Sequence, residues 1–226
     1  MDVCLEEDIV SLINEITAAW DDLKTRSMEQ IDEILRIVAK LDLIMGQDIP
    51  LKHFKNHPLL SQKSTYKLHM ALNISLPKFE RLLPRFEELL AHFHRIEAVC
   101  KRKVYRESLS RHEASLPASI HIVDYVSEIV SMFESSIHLK RQIVHSLRHS
   151  EPNYEFFSYT LTLWTLEPYI DDDKITDILE QISHLEMSQL STSPEATYTL
   201  ESIRKEMMRE LMRMKALDSI DHDSED

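Results

Sequence analysis

The sequence predicts an all-α fold, an elongated bundle of six or seven helices with a long N-terminal helix. Three observations carry that expectation. The chain has 226 residues and a single glycine, Gly46, where average usage near ~7% would supply roughly sixteen. Tight hairpins, phosphate-cradling loops and doubly wound sheets need glycine where the backbone turns left-handed or meets a ligand closely, so those architectures are nearly excluded. Apolar residues recur three and four apart over long runs, which gathers them on one helix face. Finally, the one segment with marked strand propensity, the Thr-Leu-Thr-Leu-Trp run ending at Trp164, has no partner strand elsewhere in the chain.

From Leu5 to Leu41 the residues Ile9, Leu12, Ile16, Ala19, Leu23, Ile31, Ile34, Val38 and Leu41 keep the three-four spacing, with one weak layer at Arg26 and Ser27. This suits one long helix or two collinear ones, with no proline or glycine to stop it. Gly46 follows at the expected C-terminal cap, and Pro50 lies just beyond. The linker to Pro58 carries Phe54, and Pro58 suits the first position of a second helix running from Leu59 to Leu76. Pro77 and Pro84 each remove a backbone donor, so a break is expected at Pro77 and a kink or restart at Pro84. A third helix continues to Ser108. The fourth, from Ser119 to His149, shows the clearest period, through Ile122, Val126, Ile129, Phe133, Ile137, Leu139, Ile143 and Leu147. Asn153 can cap a fifth, aromatic helix, and Asp171 to Asp173 open a sixth. Ser193-Pro-Glu begins a seventh: a cap hydroxyl, then proline, then a carboxylate at the positive helix end. The expected organisation is a helical bundle over residues 1–190, a C-terminal helix over 191–218 and a disordered acidic tail over 219–226.

Composition narrows function. A net charge of -13 repels the phosphate backbone over most of the surface, so any nucleic-acid contact is local. The two cysteines, Cys4 and Cys100, form neither a disulfide framework nor a zinc spacing and read as reduced thiols. The acidic start MDVCLEEDIV is unlike a signal peptide, and no apolar run reaches the roughly 18 residues of a membrane span. The expectation is a cytoplasmic and nuclear protein with no direct membrane contact.

No cluster rises to a catalytic site. His92 and His94 lie about 200° apart on a helix and cannot share a metal without distortion. His145 and His149 have ligand spacing, but His-Ser-Leu-Arg-His lacks the acidic partner of a zinc helix. Asp171, Asp172 and Asp173 suit a helix start better than a magnesium site. The chain is expected to be no enzyme and to use no cofactor or metal. The basic exception is Arg95 to Arg111, where Arg95, Lys101, Arg102, Lys103, Arg106 and Arg111 face only Glu97 and Glu107. Such residues offset a helix C-terminal dipole, or form a patch for an acidic protein surface or ribosomal RNA. Trp20, beside the first apolar seam, is a core residue or an interface anchor. The candidate partner-binding residues are therefore Trp20, Phe54, Lys101, Arg102, Lys103 and Arg106.

The order of these features resembles the AIRIM family of ribosome maturation factors. The likeness comprises Ala19-Trp20-Asp21-Asp22-Leu23, the series from Ile31 to Leu41, and the linker with Pro50, Leu51 and Phe54 leading to His57-Pro58-Leu59-Leu60. It continues through Lys67 to Leu76, Val104-Tyr105, Leu116-Pro117-Ala118-Ser119, Val123-Asp124-Tyr125-Val126 and the pair Lys140-Arg141. It is clearest over residues 12–182. Pro77 and Pro84 depart from an unbroken helix, and the last forty or so residues have no clear counterpart. The resemblance implies a non-catalytic adaptor that joins a AAA+ ATPase together with a second small helical subunit. That complex releases or recycles assembly factors on cytoplasmic pre-60S ribosomal particles, with a further link to chromatin. The ATP hydrolysis would belong to the partner. The alternative is a coiled-coil-like structural subunit of a kinetochore, tethering or cytoskeletal complex.

A further expectation follows from length alone. At ~1.5 Å per residue the stretch from Leu5 to Leu41 spans roughly 55 Å. A helix of that length needs its apolar stripe covered by a second chain or by the C-terminal helices.

Overall fold

The computed structural model describes residues 5–45, 58–109, 116–186, 202–209 and 212–213. Among them the chain forms six helices and no strand. These are α1 (Leu5–Met45), α2 (Pro58–Glu80), α3 (Leu82–Leu109), α4 (Leu116–His149), α5 (Tyr154–Leu166) and α6 (Asp172–Glu186). Residues 202–209 and 212–213 are also helical. The expected caps at Gly46 and Ser193, the linker with Phe54 and the acidic tail lie outside the described residues.

The chain divides into two compact units, one of Met1–Asp21, Arg85–Ser135 and Tyr169–Asp226, the other of Asp22–Pro84 and Ser136–Pro168. The first unit has an aromatic centre. Trp20 of α1 meets Phe86 of α3 edge to face at 4.6 Å and Phe133 of α4 at 4.7 Å, while Phe93 stacks on Phe133 at 4.3 Å. The same unit buries Ile9, Ile13 and Ile16 of α1, Ile96 of α3, Ile129 of α4 and Ile182 of α6. The helical stretch 202–209 belongs here too. Ile203 and Met207 are buried, Arg204 pairs with Glu15 at 2.9 Å and donates to Ser11 Oγ at 2.7 Å, and Arg95 pairs with Glu206 at 2.7 Å.

The second unit is built on the later part of α1, with Leu23, Ser27, Ile31, Ile34, Val38 and Leu41 buried. The same unit buries Leu72 and Phe79 of α2, Ile137 and Ile143 of α4, and Phe157, Leu161 and Trp164 of α5. Ser75 Oγ donates to Glu33 Oε1 at 2.8 Å, tying α2 to α1.

This architecture decides one expectation and corrects another. Of the two covers expected for the apolar seam of α1, a second chain is not needed: Ile9, Leu12, Ile16, Leu23, Ile31, Ile34, Val38 and Leu41 are each 5% exposed or less within this chain. The helices of each unit, and in the first unit residues 202–209, supply the cover. Pro77 does not end α2, which continues through it to Glu80 and breaks at Arg81. Its missing N–H removes one ladder bond, and the burial of Phe79 two residues later offsets that cost. The Arg81 N–H still reaches the Pro77 carbonyl at 3.2 Å. Pro84 falls in the first turn of α3, where the donor it lacks has no intrahelical acceptor to lose.

Other local expectations hold. Asn153 is the N-cap of α5, its Oδ1 accepting from the Phe156 N–H at 2.9 Å. Asp171 Oδ1 accepts from the Lys174 N–H at 3.0 Å at the start of α6. The weak layer at Ser27 does not split α1, because Ser27 is itself buried and hydrogen-bonded.

Candidate interaction surfaces

The predicted basic residues occupy the last turns of α3. Lys101 is exposed but reaches Glu97 Oε1 at 2.7 Å, and the same oxygen accepts from Ser127 Oγ at 2.6 Å. Burial pushes the Glu97 carboxyl up, yet the bonds from Lys101 and Ser127 outweigh it and hold the group below its usual range. Part of the Lys101 charge is therefore neutralised within α3 itself. Arg102 donates from Nε to the Ala98 carbonyl at 3.1 Å and is exposed. With Tyr105, Arg106 and Leu109 it completes an i, i+3, i+4, i+7 set that shares one helix face. Tyr105 is 66% and Leu109 67% exposed. This face combines two guanidinium side chains with an aromatic and an aliphatic one, a mixture suited to an acidic protein surface. Lys103 is half-buried and projects about 100° round the helix from Arg102.

Trp20 does not join that face. At 1% exposure it is enclosed by this chain's own Phe86 and Phe133, so its ring has no surface to offer a partner. Of its two readings, the core residue is the one the packing selects. Phe54 lies outside the described residues.

A second surface, which periodicity did not reveal, lies on α2. Its inner face buries Leu72, Ser75 and Phe79, but its opposite face is also apolar, with Leu59 81%, Tyr66 66%, Met70 45% and Ile74 56% exposed. A helix that is apolar on two sides loses its amphipathic signature. The signal available in the sequence was the series Leu59, Tyr66, Met70 and Ile74, on the side of the helix opposite Leu72 and Phe79.

The second unit also encloses a charged centre. Lys140 of α4 is 1% exposed, and its Nζ lies 2.7 Å from Glu167 Oε1 and 4.2 Å over the Trp164 ring. The same Nζ donates to the Trp164 carbonyl at 3.3 Å. Glu167 is 4% exposed and reaches Lys24 Nζ at 3.1 Å through its other oxygen. Burial, offset in part by Glu167, pulls the Lys140 ammonium down to about 8. The Trp164 indole N–H donates to Ser27 Oγ at 3.1 Å, and Ser27 Oγ donates to the Lys24 carbonyl at 2.6 Å. Glu167 adopts a left-handed conformation (φ 44°) at the C-terminus of α5, its N–H bonded to the Leu163 carbonyl at 3.3 Å. This backbone turn is what swings its carboxylate onto Lys140. The sequence signal was a lysine three residues from both Ile137 and Ile143. The fourth helix buries Lys140 at that position, and Leu139, expected on the stripe, is only half-buried.

The remaining candidates take ordinary roles. His94 pairs with Glu134 at 3.3 Å, His92 is buried, and the rings of His145 and His149 lie 4.5 Å apart, tilted by 49°, on an exposed side of α4. Among the described residues no group of three His, Cys, Asp or Glu is placed to hold a metal ion, and no helix is long and apolar enough to cross a membrane. No family model and no curated protein sequence matches the chain.

Proposed function

We propose that this chain is a non-catalytic adaptor subunit of a AAA+ ATPase complex that acts on cytoplasmic pre-60S ribosomal particles. It would join the ATPase together with a second small helical subunit, work in the cytoplasm and nucleus, and meet the particle only indirectly. The observation that carries the adaptor part is the pair of exposed helix faces. One is the apolar outer side of α2, the other the basic, aromatic end of α3. Contiguous exposed apolar side chains on a folded domain mark surfaces that meet other macromolecules. The ribosomal and ATPase part rests on the ordered resemblance from Ala19-Trp20 to Lys140-Arg141, to which the buried Lys140 adds a structural reason for a lysine at that place.

The test is purification of the tagged chain from its native cell, followed by mass spectrometry. The proposal expects a AAA+ ATPase, a second small helical protein and 60S precursors in near-stoichiometric yield. Recovery of kinetochore, tethering or cytoskeletal proteins with no ATPase would replace it with the structural-subunit reading.

A further inference from the structure

The outer face of α2 has a definite geometry. Positions 59, 63, 66, 70, 74 and 77 are spaced four, three, four, four and three apart, so on an α-helix they form one nearly straight strip about 27 Å long. Leu59, Lys63, Tyr66, Met70, Ile74 and Pro77 occupy it, and all six are exposed. Spacing of this kind is what lets a second helix lie alongside with its side chains seated between those of the first. The inner face of the same helix is already filled by its own unit, through Leu72, Ser75 and Phe79. The strip is therefore additional to what α2 needs in order to fold.

Charge selects the occupant. Lys63 lies within the strip and Lys67 at its margin, both exposed, and α2 carries no acidic residue before Glu80. The chain as a whole carries -13. A local basic, apolar strip on an acidic protein attracts carboxylates through short-range pairing, while the surrounding field disfavours extended polyanions. An anionic bilayer calls for a cluster of about four to eight basic residues, and a nucleic acid for a comparable run of phosphate contacts. Two lysines flanking four large apolar side chains match neither. They match one helix with apolar anchors at three-four spacing and acidic residues beside them.

We propose that the outer face of α2 docks an acidic amphipathic helix of another protein, with apolar residues seated among Leu59, Tyr66, Met70 and Ile74 and carboxylates paired to Lys63 and Lys67. This deepens the adaptor reading and rests on it only in taking α2 as a protein-binding face; it does not depend on the partner being an ATPase.

The test places the photo-crosslinker p-benzoylphenylalanine at Tyr66 of the full chain in its native cell, with Asp173 as the control position. The crosslinked peptide is then sequenced by mass spectrometry. The expected product is a single peptide from another protein, with apolar residues three and four apart and an excess of Asp and Glu, absent from the Asp173 control. Lys63→Glu with Lys67→Glu should lower its yield at least tenfold with the melting temperature unchanged, while Lys63→Arg with Lys67→Arg should keep it. A peptide from a second copy of this chain, a lipid adduct, a basic peptide, no specific adduct, or a yield indifferent to charge reversal would each overturn the proposal. Failure of the functional reading looks different: the acidic peptide would appear, but in a protein of a complex with no ATPase.

Discussion

Replacing Glu167 by glutamine keeps the size of the side chain and removes its charge, leaving the Lys140 ammonium at 1% exposure with no carboxylate at 2.7 Å. Removing one partner of a buried ion pair costs about 3–5 kcal/mol, because the remaining charge stays desolvated. Lys24 adds to the strain, since its own partner at 3.1 Å is lost in the same substitution. A domain's whole stability is about 5–15 kcal/mol, so Glu167→Gln should move the urea midpoint far toward zero. Lys140→Met supplies an apolar chain of similar length, a replacement that is often neutral or stabilising. In the Glu167→Gln background it should recover most of the loss, bringing the double variant within about 1 kcal/mol of the wild type. The assay is urea unfolding followed by far-ultraviolet circular dichroism for the four proteins of the cycle. A Glu167→Gln variant within about 0.5 kcal/mol of wild type, or a double variant no better than that single one, would show that the Lys140–Glu167 pair is not a buried, mutually dependent ion pair.

Three further outcomes follow from the same contacts. In the unfolded chain Lys140 titrates near 10.5, and in the folded protein burial brings it to about 8; between these values the unfolded chain holds the extra proton, so stability rises with pH across that window and is lost as pH falls through about 8. The wild type should gain about 3 kcal/mol more than Lys140→Met between pH 8 and 10.5 in parallel urea titrations; equal slopes would contradict the assignment. Trp20→Ala empties the contact with Phe86 and Phe133 and should cost about 3–5 kcal/mol in chemical denaturation, whereas an interface residue would leave stability unchanged. Asn153→Ala removes the cap on the Phe156 N–H and should cost about 1 kcal/mol, read as a lowered melting temperature.

Much of the fold was legible because burial follows the helical period. The seam of α1, the caps at Asn153 and Asp171, and the period of α4 are each local patterns, and local patterns survive without knowledge of tertiary contacts. What escaped depends on distant partners. Ser27 looks like a gap in the α1 seam until the Trp164 indole, 137 residues away, donates to it at 3.1 Å. Lys140 looks like a polar-face residue until a left-handed turn at Glu167 delivers its counter-ion. Pro77 looks like a terminator because the cost of a lost ladder bond is local, while the burial of Phe79 against Trp164 at 4.5 Å is not. Among the site residues, the basic end of α3 was legible from charge clustering. The status of Trp20 was not, since a tryptophan on a seam packs inward or outward with the same sequence around it. The outer face of α2 was hidden by its own second apolar stripe.

The measurement closest to the central claim is quantitative co-purification of the tagged wild type beside a variant with Lys101, Arg102, Lys103 and Arg106 changed to Glu, each first shown to melt normally. A AAA+ ATPase and 60S precursors are expected with the wild type, and at least a tenfold loss of one of them with the variant. Recovery of neither with the wild type, or equal recovery with both proteins, would contradict the adaptor function in the first case and the role of the α3 face in the second.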